Sequence, residues 1–161
     1  MSVVDEVIDR LAALPRPPLT RRPPADPAAV DAVDRGRDLR LPADVRRLLA
    51  WSDGFGLATS PTAFDLWGVD DLRILNDDEP YRKDVPGMTL VGGDYGGGLY
   101  FLDPAGRLGR GHGAVFLVHA GSLWFPDSRH VAGSVAHAVR RALDGEDLWA
   151  EPRLGPGAGD A

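Results

Sequence analysis

"VGGDYGGGLYFLD", residues 91–103, sets five glycines among the seven positions 92–98 and then turns apolar. Glycines in such a run either cradle a phosphate ahead of a helix or let two strands meet across a tight bend. Gly92 and Gly97 have the spacing of a phosphate loop, but Gly98 stands where that loop needs a lysine and Leu99 where it needs serine or threonine. No GxGxxG register fits either. "LYFL" then alternates as a strand, whereas a phosphate loop opens a helix whose N-terminus holds the anion. The run therefore reads as a hairpin or a glycine-bulged bend, with Asp94 and Tyr95 displayed at its tip.

Around this bend the period is that of strands. Residues 88–91 and 97–102 are its two arms, and "AFDLWG" ahead of them is another strand. "AVFLVH" reads as a buried strand, "AGS" as a turn and "LWF" as a short partner strand. "VDDLRIL" is a short helix or turn, and "DDEPYRKDVPG" an acidic loop. Asp127 or Ser128 caps a last helix with Val131, Val135, Ala138, Val139 and Ala142 inward and Gly145 just beyond it.

Helices dominate the N-terminal part. Val4, Val7 or Ile8, Leu11 and Leu14 lie at helical spacing, and Pro15 stops that helix. "PRPPLTRRPPADP" has too many prolines for regular structure and reads as a stiff connector. Asp26 caps a second helix with Pro27 at its first position and Gly36 at its end. A third helix starts at about Pro42, with Val45, Leu48 and Leu49 on one face, and ends in "SDGFG". The divisions are thus an N-terminal helix at 1–14, a Pro/Arg-rich linker at 15–25, one domain at 26–150 and a disordered tail at 151–161. Helices, then strands on tight turns, then a helix predict an α+β fold with a mostly antiparallel, bent sheet flanked by helices.

Composition narrows the chemistry. The 161 residues include no cysteine, which removes disulfides, thiolate metal sites and cysteine nucleophiles and fits a reducing cytoplasm. No basic leader or apolar core of a signal peptide opens the sequence, and no apolar run is long enough to span a bilayer. Net charge is −6, and it is unevenly placed: residues 1–50 carry 9 arginines against 8 acids, leaving 9 basic against 16 acidic residues beyond them. Such a domain meets repulsion at every phosphate of a nucleic acid and suits a basic protein partner instead.

No catalytic constellation emerges. His130 and His137 lie seven apart on the expected last helix, about 10 Å along its axis and too far to share a metal. A site from His112, His119 and Asp94 is conceivable, but boundary histidines are the plainer reading. No GxSxG surrounds a serine, so neither a catalytic set, a metal nor a cofactor is expected. The tryptophans Trp51, Trp67, Trp124 and Trp149 have apolar neighbours and read as core or near-core packing. Residues 65–84 are more informative, with seven acids against Arg73, Arg82 and Lys83. Asp77, Asp78, Glu79 and Asp84 of this stretch, together with Asp94 and Tyr95, are the expected partner-binding residues.

The order of pieces resembles a known family. "LPADVRRLLAWSDGFG", "FDLWGVDDLRIL", "VPGMTLVGGDYGGGLYFLD" and "GAVFLVHAGS" with its following helix are similar, in order and spacing, to the SUKH superfamily of cell-wall-assembly-regulator-like domains. The resemblance covers about residues 26–148. It implies a single α+β domain without catalytic residues. Bacterial members are mostly immunity proteins that bind and neutralise a cognate toxin, often a nuclease, through surfaces that vary among members. The extra N-terminal helix, its linker and the acidic loop depart from the pattern. A toxin-neutralising protein is the leading expectation. A scaffold or regulatory module for an endogenous partner is the alternative, and a small-ligand or metal-dependent enzyme the remote one.

Overall fold

Ser2 opens the first helix by accepting a hydrogen bond from the Asp5 N–H at 3.2 Å, with Asp5 and Glu6 complementing the positive end. In the computed structural model, which describes residues 1–77 and 81–160, this helix α1 spans Val3–Ala12 and buries Val7, Ile8 and Leu11. It packs on two later helices and is integral to the fold, with Arg10 bonded to Asp144 at 2.8 Å. The following connector is not wholly irregular. Leu19–Arg21 forms β1, a short edge strand between Pro18 and Pro23. Proline cannot donate to a ladder, so it is tolerated beside an edge strand and limits its length.

Asp26 caps α2, Pro27–Arg37, by accepting from the Ala28 N–H at 3.0 Å. The helix runs past Gly36 and stops where Asp38 takes the left-handed conformation at φ 49°. α3, Ala43–Trp51, lies where its apolar face predicts. A three-residue strand, β2 (Phe55–Leu57), follows, and its central glycine and short length hid it from the periodicity. β3 is Phe64–Leu66 and α4 is Val69–Leu75. Asn76, buried at the end of α4, accepts from the Leu90 N–H and donates to the Leu72 and Leu90 carbonyls, stitching helix to sheet.

β4 (Thr89–Gly93) and β5 (Gly98–Asp103) are the arms of the expected hairpin, with the glycine run at its bend. A register shift between Leu90 and Gly92 marks a bulge, and Gly92 is needed there because a Cβ would lie 2.1 Å from the Asp65 carbonyl oxygen. With no side chain at Gly92, Tyr100 opposite it stacks on Phe64 at 4.1 Å and donates to the Ala63 carbonyl. β6 is Ala114–His119, and its Phe116 pairs with Phe101 at 5.2 Å between ring centres.

The chain then departs from expectation. "LWF" is not a strand: Phe125–Asp127 makes a single 3-10 turn, and β7 is Arg129–Ala132. The last helix, α5, starts only at Val135, capped by Ser134, and ends at Leu143. Val131 and His130 therefore sit on a strand, which pairs with β6 through Phe116 opposite His130 and Val115 opposite Ala132, a tertiary pairing that the helical spacing of Val131 and Val135 had masked. The tail, expected to be disordered, is hydrogen-bonded along the outer side of β7: Arg153 bridges to Arg129, and the Leu154 N–H donates to the Ser128 carbonyl at 2.8 Å.

The seven strands stand in chain order, each antiparallel to its neighbours. α1, α3 and α5 pack together, α5 rests on β6 and β7, and α2 packs on α4 and α3. This is an α+β fold, with Leu11, Leu48, Leu49, Phe64, Tyr100 and Phe101 among its fully buried side chains. No helix among the described residues is long and apolar enough to cross a membrane.

Candidate functional site

Strand alternation builds the site. Leu19, Leu57 and Phe64 stand opposite one another on β1, β2 and β3 and are all buried. Their neighbours Thr20, Gly56 and Asp65, also in register, must therefore project from the other face. Gly56 leaves a gap in the middle of this row. Tyr95 fills its upper part: a Cβ on Gly56 would lie 2.0 Å from the Tyr95 Oη. Tyr95 reaches that point from the β4–β5 turn in the left-handed conformation, φ 62°, which a side chain of its size seldom adopts. Its hydroxyl donates to the Asp65 carboxylate.

Asp71, from the first turn of α4, and Arg22, just past β1, complete a cleft of about 110 Å³ around Asp65, Tyr95, Thr20 and Gly56. Burial, reinforced by the Asp71 charge, raises the Asp65 carboxyl above its ordinary value, against the opposing pull of the Tyr95 hydrogen bond and Arg22. Burial and the Asp65 charge raise the Tyr95 phenol in turn. Neither Asp65 nor Asp71 forms an ion pair among the described residues. Two carboxylates against one guanidinium leave the cleft with an excess negative charge. Its chemistry suits a cationic or hydrogen-bond-donating group.

The expected partner-binding residues separate. Tyr95 is 62% exposed and belongs to the cleft. Asp94 does not stand free at the tip: its carboxylate accepts from the Gly96 and Gly98 N–H groups at 2.8 and 2.7 Å and from Trp149 Nε1 at 2.7 Å. Two of those donors lie in the turn itself, so Asp94 is a structural clamp. Asp77 is 3.6 Å from the Arg37 guanidinium, and exposed Asp84 closes the single turn Arg82–Asp84. Asp78 and Glu79 lie outside the described residues. Arg82 holds the near part of the acidic loop by donating to the Arg37, Asp38 and Met88 carbonyls.

Other residues fall differently. Trp67 is buried and Trp51 stacks on Arg21, 4.1 Å from ring centre to guanidinium, but Trp124 is 59% exposed and is not core. His119 stacks on Trp149 at 4.2 Å, His137 bonds Ser134 at 2.7 Å, and His112 meets the Pro104 carbonyl at 3.1 Å. His130 packs on Phe116, and burial lowers its imidazole below the usual range. Thr20 and Arg22 were hidden inside a segment read as linker. Asp65 carried a readable signal: in "FDL" it is the one polar residue between two apolar ones on a strand. The chain matches no protein-family model and no curated protein.

Proposed function

We propose that this chain is a non-enzymatic protein-binding domain of the SUKH type, acting in the bacterial cytoplasm as an immunity protein that neutralises a cognate toxin by stoichiometric occlusion. The observation that carries the reading is the polar cleft near the edge of the sheet, which Asp65 and Asp71 line together with an exposed tyrosine and where, among the described residues, neither acid forms an ion pair. Tyrosine is enriched at protein interfaces because it offers a large rigid surface and a polar tip. Negative charge beyond residue 50 favours a basic partner and disfavours nucleic acid itself. The order of sequence motifs is the second support.

Co-expression with the product of the neighbouring reading frame tests it. The expected result is that the neighbour's product arrests growth alone and that this chain restores growth. A neighbour that is harmless alone, or that kills equally in the presence of this chain, overturns the proposal.

A further inference from the structure

The proposed function leaves open how the partner is held, and the cleft itself constrains that. Its floor is backbone, because Gly54 and Gly56 contribute no side chains. The Tyr95 hydroxyl reaches into the space above Gly56 from a turn 39 positions along the chain. Acceptors come from two different elements, Asp65 on β3 and Asp71 on α4, so a bound donor is gripped from two directions. Thr20 adds a hydroxyl from β1.

We propose that this cleft receives the guanidinium of a single arginine from the partner protein. The inference rests on the reading of the chain as a protein-binding domain and names the group it binds. A guanidinium presents its N–H donors in one fixed planar fork, matching carboxylates on separate elements. An ammonium is a compact point charge on a flexible stem and presents no such fixed fork. No group of three or more His, Asp or Glu side chains among the described residues is placed to hold a metal ion. An anion meets an excess of negative charge. Arg22 lines the same cleft and its charge favours the Asp65 carboxylate, but among the described residues it closes no ion pair to either acid, which leaves acceptor positions for an incoming donor. Burial first and the Asp71 charge second raise the Asp65 carboxyl, and an arriving cation relieves the second of these.

The test uses the full chain and no toxin. The peptide Ac-Gly-Arg-Gly-NH2 is titrated into the labelled protein while backbone amide resonances are followed. The account predicts saturable shifts at Gly56, Asp65 and Tyr95, with a Kd in the millimolar range. The citrulline peptide, same in shape but uncharged, binds about tenfold more weakly or worse. Asp65→Asn and Asp71→Asn each weaken the arginine peptide by a similar factor, and the amide spectrum of each variant reports whether its fold is kept.

Four outcomes overturn the assignment: no saturable shift at these residues, equal binding of the citrulline peptide, equal binding of the lysine peptide, or the same shifts from calcium ions alone. Failure here with successful growth rescue removes only the arginine socket. Peptide binding without rescue keeps the socket and removes the toxin.

Discussion

Asp65 sits where strand alternation, a missing side chain and a neighbouring charge meet. Its carboxyl titrates above its ordinary value of 3.8, so the folded chain holds this proton more tightly than the unfolded chain. The contribution to stability is therefore present below the ordinary value and is lost as pH rises through the folded value. Asp65→Asn should remove that slope, seen as a flatter dependence of denaturant midpoint on pH in the acidic range. An unchanged slope would mean that Asp65 is not the group responsible. Asp94 makes the opposite case, a carboxylate consumed by its own turn. Asp94→Ala leaves two turn N–H groups and the Trp149 indole without their acceptor, and should cost about 2 kcal/mol. Faster amide exchange at Gly98 and a red-shifted Trp149 emission would accompany the loss. From sequence alone these residues were hard to rank. Asp94 and Tyr95 are adjacent in a glycine turn, and only the folded turn decides that one side chain points inward and the other across the sheet.

Among the elements, those with long periodic faces were legible and the short ones were not. α1, α2 and α3 follow from their caps and apolar spacing, and the β4–β5 hairpin from its glycines. β2 and β1 have three residues each, too few to establish a period, and β1 is flanked by prolines. They form because each satisfies the edge of a neighbour already in the sheet, a tertiary cause invisible to local propensity. β7 was absorbed into α5 because Val131 and Val135 also stand four apart. The consequence for α1 is direct. Leu11 is fully buried against the helical layer, so Leu11→Ala should destabilise the whole domain by about 2–5 kcal/mol in a single unfolding transition. A second transition at unchanged midpoint for the remainder would show the first helix to be a separate appendage.

Across the whole molecule, charge and architecture bear on association. An acidic surface attracts a basic partner over distances set by the Debye length, about 30 Å at 0.01 M and about 8 Å at 0.15 M ionic strength. The association rate with the partner should fall steeply across that range, and Asp65→Asn together with Asp71→Asn should flatten the fall. The cleft was only half legible in advance. The acidic character of residues 65–84 was readable, but Thr20 and Arg22 reach it only through a strand that the prolines concealed. The most direct test of the account is the mass of the species formed when the chain is purified together with the product of its neighbouring reading frame. A stable complex of one copy of each, weakened by the two asparagine substitutions, is the predicted result. Separate elution of the two proteins, with the toxic activity intact in the mixture, would contradict it.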